Sequence, residues 1–190
     1  MVNLLVCAPL AVEAMALRER AHMRVVRTGM GADRSRRAAA ALALEPARAV
    51  VVAGFAGAVD PSLEPGDVVV ATTVIGPDER SRCASESLTP LLRAEGLRVV
   101  VGTIACREHI VRGEERRELF DQGACVVDME SAWLAGAAAA RPFSVVRAVV
   151  DTPRYEISRV LLTLRAGVRA YQALTRVGRA LSRWAAEGEF

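Results

Sequence analysis

Lysine is missing from this sequence: all 25 of its Lys+Arg residues are arginine. A Walker phosphate loop ends on lysine, a Schiff base to pyridoxal phosphate forms on a lysine amine, and a kinase-type ATP site pairs a lysine with the phosphates. None of the three can be built here. Histidine is nearly missing too, with only His22 and His109, which excludes histidine-rich metal sites. The four cysteines, Cys7, Cys83, Cys106 and Cys125, form no Cys-x-x-Cys pair and spell neither a zinc site nor a redox motif. They read as reduced core thiols, and neither a metal nor an organic cofactor is expected. Aromatic residues are only 4% of the chain, and no recognised nucleic-acid motif accompanies the arginines, so no nucleic-acid partner is expected. No run reaches the roughly 18 apolar residues of a membrane span. Met1-Val-Asn-Leu-Leu-Val-Cys7 enters a strand-like segment without a basic leader, and the expected location is the cytoplasm.

What is present is ample core material: 52% of the 190 residues are hydrophobic, in a chain of single-domain length. The net charge of +3 is uneven, because residues 157–186 hold six arginines and no acid. Short β-branched runs alternate with Ala/Leu/Arg stretches of helical period, the pattern of one α/β domain with a largely parallel buried sheet. Strands are expected at Val2–Cys7, Arg24–Arg27, Ala49–Ala53, Asp67–Val74, Arg98–Thr103, Ala124–Val127 and Phe143–Val150. Helices are expected near Leu10–Ala21, Asp33–Leu44, Pro90–Glu95, Glu114–Gln122 and Glu130–Ala140, with Thr89 capping the third. Ile157–Ala185 reads as one long terminal helix.

Open α/β sheets bind ligands past their strand ends, so the residues there are the candidates. Thr28-Gly29-Met30-Gly31 is a glycine turn flanked by Arg27 and Arg34, fit to hold an anion or to make a plain tight connection. Gly54-Phe55-Ala56-Gly57 is read as a second turn, where small residues admit a ligand or allow close packing. Asp151 ends an apolar run, where burial raises a carboxylate's pKa and suits it to proton donation; capping a turn before Pro153 is the alternative. Glu130 opens a helix, where the dipole stabilises a carboxylate in any case, and Glu13 lies early in another.

Asp128-Met129-Glu130-Ser131-Ala132 together with Arg147-Ala-Val-Val-Asp151 resembles the nucleoside phosphorylase and nucleosidase superfamily. Gly54-Phe-Ala-Gly57, Gly66-Asp67 and Thr28-Gly-Met-Gly31 agree in order across almost the whole chain. Val127–Ser131 and Asp60-Pro-x-Leu-x-Pro-Gly-Asp67 are especially similar to hopanoid-associated phosphorylases, which act on adenosylhopane. The resemblance implies a three-layer α/β/α fold around a twisted, mixed but mostly parallel sheet. It implies cleavage of the N-glycosidic bond of an adenine-type nucleoside through an oxocarbenium-like transition state.

In that scheme Asp151 protonates or hydrogen-bonds the departing base. Glu130 grips the sugar hydroxyls, Met129 packs beneath the sugar, and Cys106–Val111 lies on the base side along with Asp128, His109 being either a base contact or a solvated loop residue. Phosphorylases attack with inorganic phosphate as co-substrate, held here by Arg27, Gly29, Gly31, Arg34, Gly54, Ala56 and Gly57. The nucleosidase branch attacks with water activated by an early glutamate, which Glu13 matches. The alternatives are a methylthioadenosine/S-adenosylhomocysteine-type or futalosine-type nucleosidase, and a nucleoside-binding protein without turnover.

The resemblance further implies a homo-oligomer; Trp133 and its alanine-rich surroundings are read either as core packing or as one subunit contact. Arg165, Arg169, Arg176, Arg179 and Arg183 share one face of the terminal helix beside an apolar stripe of Leu161, Leu164, Val168, Tyr171, Leu181 and Trp184. That helix either packs on the sheet or rests on an anionic membrane surface.

Overall fold

The computed structural model describes residues 2–77, 79–84, 86–152 and 160–190, with side chains from residue 164 onward in the last stretch. The elements run β1 (Leu4–Ala8), α1 (Ala11–Leu17), β2 (Met23–Arg27), α2 (Ala32–Leu42), β3 (Ala49–Ala58), β4 (Val68–Ile75) and β5 (Arg80–Arg82). They continue as α3 (Leu88–Ala94), β6 (Val99–Cys106), α4 (Gly113–Asp121), β7 (Ala124–Asp128), α5 (Ser131–Leu134), β8 (Phe143–Asp151) and α6 (Val160–Glu187). The fold is mixed α/β, as the resemblance implied.

Alternate strand residues face opposite layers. Leu4, Val6, Val51 and Ala53 pack with Leu88 and Leu92 of α3 and with Leu174, Val177, Leu181 and Trp184 of α6. Leu5, Cys7, Val50 and Val52 pack on the other side with Ala39, Leu42, Leu134 and Ala137. Strands buried on both faces explain the continuous valine runs.

The strand order is β2-β1-β3-β7-β6-β4-β5, and β8 pairs with both β3 and β4. Strands β3, β7, β6, β4 and β8 therefore close on one another in a ring, with β1 and β2 extending parallel from β3. Closure depends on the length of β3, whose last residues turn to β7 while the rest run along β8.

Several expected boundaries shift. The Gly54–Gly57 segment is not a turn but the second half of β3, hydrogen-bonded into the sheet. The helix expected over Glu130–Ala140 is one α-turn, Ser131–Leu134, followed by a 3-10 turn at Ala135–Ala138. Helix α1 stops at Leu17, where Arg18 takes φ 51°. Gly178 lets α6 cross there, since a Cβ on it would come within 2.6 Å of the Leu17 carbonyl oxygen. The N-cap of α3 is Ser87, not Thr89, and β5 was not anticipated.

Leu181 and Trp184 of the terminal stripe are core residues, while Leu164 and Val168 are exposed. The stripe therefore does not act as one face. Arg179 and Arg183 pair with Glu95 of the neighbouring helix end. Trp133 is capped by the Arg36 guanidinium, 4.1 Å above its ring. The Leu161 side chain, the expected start of α6 at Ile157 and the turn at Pro153 lie outside the described residues. Among the described residues no helix is long and apolar enough to cross a membrane.

Candidate active site

Arg147, in the middle of β8, is completely buried and gathers carboxylates around it. Its Nε donates to Asp128 Oδ2 at 2.8 Å, and Nη2 donates to Ser131 Oγ at 3.2 Å and lies 3.6 Å from Glu130 Oε2. A buried guanidinium needs such partners to offset its lost hydration. Burial alone would lower its pKa, but the fields of Asp128, Glu130 and Glu13 outweigh that and raise it.

Glu13 comes to the same place from the first turn of α1. Its Oε2 accepts the Leu10 N–H at 2.6 Å, and its Oε1 accepts the Phe55 N–H of β3 at 2.7 Å. The strand can lie this close only because residue 54 has no side chain: a Cβ there would sit 2.7 Å from Arg147 Nη1 and 2.8 Å from Glu13 Cδ. Burial pushes the Glu13 carboxyl above the ordinary glutamate range, partly offset by Arg147 and the two N–H donors. Glu130 is raised for the same first reason, with Arg147 again opposing. Its Oε1 accepts the N–H of Gly31 at 3.1 Å, so the glycine turn after β2 already holds an anion, the protein's own glutamate.

Asp151 is the last residue of β8. A register shift between Ala56 and Gly57 sets it opposite Gly57. Arg116 of α4 reaches under it, donating through Nη2 to Asp151 Oδ2 and through Nε to the Val111 carbonyl at 3.2 Å. Gly57 makes the room, since a Cβ there would lie 2.6 Å from Asp151 Oδ1 and 3.1 Å from Arg116 Nη2. Glu13, Met30, Phe55, Met129, Glu130 and Asp151 line one cavity of about 340 Å³ together with His109–Val111 and Arg116. That arrangement sets a buried carboxylate with raised pKa, a second carboxylate and an apolar floor around a space of small-molecule size.

Residues 17–177 match the model of the Phosphorylase superfamily. The chain belongs to that superfamily. It is accordingly an enzyme of the nucleoside phosphorylase and nucleosidase class. No curated protein sequence matches it. Among solved structures, the fold is shared with the S-adenosylhomocysteine nucleosidase of Streptococcus pyogenes bound to 5-methylthiotubericidin. That likeness has 24% identity, a TM-score of 0.75, and covers 96% of this chain and 97% of that one. The methylthioadenosine/S-adenosylhomocysteine nucleosidase of Neisseria meningitidis, bound to methylthio-immucillin-A, gives 21% identity, TM-score 0.78 and coverage of 96% and 100%. Futalosine hydrolase of Helicobacter pylori gives 16%, 0.76, and 96% and 98%.

In this superfamily member the structure brings Glu13, Met129, Glu130 and Asp151 to one cavity and treats other expected residues differently. Asp128 borders the cavity, but its carboxylate faces inward. It accepts the N–H groups of Glu130 and Ser131 and the Ser131 hydroxyl besides Arg147, an arrangement that shapes the turn after β7 rather than a base-side contact. His109 lines the rim, is largely exposed, and meets Glu115 at 2.9 Å.

Arg27 and Arg34 are exposed and line no part of the cavity, and the aliphatic part of Arg34 instead covers Gly29. Gly54, Ala56 and Gly57 are strand residues rather than a turn, and Ala56 and Gly57 line the cavity. The glycines stand where buried side chains of α1, α4 and β8 need space. Sequence reasoning missed Arg116 and gave Arg147 no role of its own. Arg147 was legible as the first residue of the Arg-x-x-x-Asp strand end, a charge inside an apolar run. Arg116 had no signal, being one arginine among four between Arg107 and Arg117.

Proposed function

We propose that the protein is a nucleosidase, hydrolysing the N-glycosidic bond of an adenine-type nucleoside with water as the nucleophile. The observation that carries this reading is Glu13: a buried carboxylate with raised pKa, fixed by two backbone donors and opening on the cavity. A base of that kind holds a water and takes its proton as the bond to the sugar forms. Glu130 accepts from the sugar hydroxyls and stabilises positive charge on the ring, with Met129 against the sugar face. Asp151 meets the base as it departs.

Phosphate lacks free donors among the residues expected to hold it: Arg27 and Arg34 lie outside the cavity, Arg116 at its wall is paired with Asp151, and the Gly31 N–H is taken by Glu130. The methylthioadenosine/S-adenosylhomocysteine nucleosidases and futalosine hydrolase that share the fold support the hydrolytic reading. The test is product analysis with adenosine, methylthioadenosine and S-adenosylhomocysteine, with and without phosphate. Adenine and free sugar should appear at a rate indifferent to phosphate; a strict phosphate requirement with sugar phosphate as product would sink the reading.

An apolar substituent on the sugar, as in adenosylhopane, fits one further feature. An open groove of about 580 Å³ continues from the cavity past the shared Phe55 and Val150 to Val12, Leu164, Val168 and Tyr171. A second copy of the chain seated on exposed Val12, Met15, Leu164 and Val168 would roof it, a subunit contact distinct from the one expected at Trp133. Light scattering should give at least a dimer, and Leu164→Glu should dissociate it.

A further inference from the structure

Arg116 has no place in the chemistry assigned so far, yet it is a buried guanidinium at the cavity wall. Arg107, Arg112 and Arg117 sit nearby on the same stretch, and only Arg116 is turned inward, 6% exposed. Its three nitrogens divide the wall: Nε is tied to the Val111 carbonyl, Nη2 to Asp151 Oδ2, and Nη1 has no partner among the described residues. Helix α4 thereby grips the segment His109–Val111 and the Asp151 carboxylate through one planar group, with Oδ1 of Asp151 standing outside that pairing. The space for this comes from Gly57 and the register shift beside it. A planar, permanently charged fork holds a carboxylate in one orientation, which a single ammonium cannot do.

We propose that Arg116 is the positioning residue of the leaving-group step: it locks the rotamer of Asp151 and ties it to the base-side segment, so that Oδ1 meets the departing base. The proposal rests on the nucleosidase reading and deepens it. A carboxylate left to rotate would lose alignment with the base nitrogen, and the chemical step would slow while sugar binding stayed intact.

The test compares Arg116→Met and Arg116→Lys with the natural protein on two substrates: adenosine, whose base needs hydrogen-bonding or protonation to leave, and p-nitrophenyl β-riboside, whose nitrophenolate needs neither. Arg116→Met should lower kcat on adenosine by roughly 10- to 100-fold, with KM changed by less than about threefold and the nitrophenyl rate nearly kept. Arg116→Lys should recover only part of the loss. Arg116→Met combined with Asp151→Asn should be no slower than Asp151→Asn alone, since the two act as a unit. Equal loss on both substrates, or multiplying losses in the double variant, would overturn the proposal and leave Arg116 as a fastener of α4.

Should the natural protein cleave neither of these substrates, nor methylthioadenosine or S-adenosylhomocysteine, the nucleosidase reading fails by itself, and calorimetric titration with adenine still decides Arg116. Weaker adenine binding in Arg116→Met supports it; equal binding, or none in the natural protein, overturns it.

Discussion

Glu13 is reluctant to ionise because it is buried, and that governs how pH should act on the enzyme. Its folded pKa lies above the unfolded value of about 4.3, so its favourable contribution to stability is fully present below that value, where both states are protonated, and is lost as pH rises through the raised one. Activity runs the other way, since a base must be ionised. The acid limb of kcat/KM should therefore fall at a pH above the ordinary glutamate range, and Glu13→Gln should abolish turnover without unfolding the chain. A rate profile that stays flat until the ordinary glutamate range is reached would show that Glu13 is not the base. Asp151→Asn keeps size and an acceptor but gives no proton, so kcat should drop about 10²- to 10⁴-fold while a nucleoside still binds. Glu130→Gln should cost about 1.5–3 kcal/mol, or roughly 10–150-fold, in kcat/KM, because a charge-assisted hydrogen bond becomes a neutral one. If Glu130→Gln altered only the melting temperature, its role would be the contact with Gly31 and Arg147 alone.

At the level of elements, β3 joins sheet to site. Valines at 50, 51 and 52 made its first half legible, but Gly54 and Gly57 read as a turn because glycine in a strand is usually unfavourable. Here it is required: the side chains that fill the space belong to residues 13, 116, 147 and 151, far away in sequence. Gly57→Ala should therefore push Asp151 and Arg116 apart and depress kcat more than it depresses stability, as steady-state kinetics and a thermal melt on the same sample would show. Gly178→Ala should do the reverse, since its Cβ would meet backbone of α1 rather than the site. Overpacking of this kind costs about 1–3 kcal/mol, and full activity at ordinary temperature should survive it. The short α5 has a related explanation. The alanine run from 135 favours a helix, but Asp128 turns the chain tightly at Ser131 and Pro142 must then enter β8, leaving room for one α-turn and a 3-10 turn.

On the scale of the whole molecule, Arg147 is the junction at which α1, β7, the turn before α5 and β8 meet. Removing it should be expensive for the fold and not only for the site. Arg147→Met leaves the buried Asp128, Glu130 and Glu13 without their common counter-charge, a change worth about 3–5 kcal/mol. Melting should fall by about 2–4 °C for each kcal/mol in a chain of this size. The deficit should narrow on acidification, because protonated carboxyls no longer need the guanidinium. Thermal melts at neutral and acid pH check both statements, and a deficit that widens with acid would show that the cluster is not held by charge.

Valine runs alternating with amphipathic stretches were enough to determine an α/β domain, because burial on both faces writes itself into consecutive residues. The Met129-Glu130 and Arg147–Asp151 segments were enough to point to the superfamily, because their order along the chain is local information. Which arginine meets Asp151 was decided only by the tertiary structure, since several on one stretch are equivalent until α4 is laid against the end of β8. The same holds for the glycines of β3, whose missing side chains answer to groups brought in by other elements, and for Arg27 and Arg34, which are near the site in sequence and outside it in space. A charge next to a motif carries no direction, and direction comes from the closed ring of strands that turns β3, β7 and β8 toward one cavity.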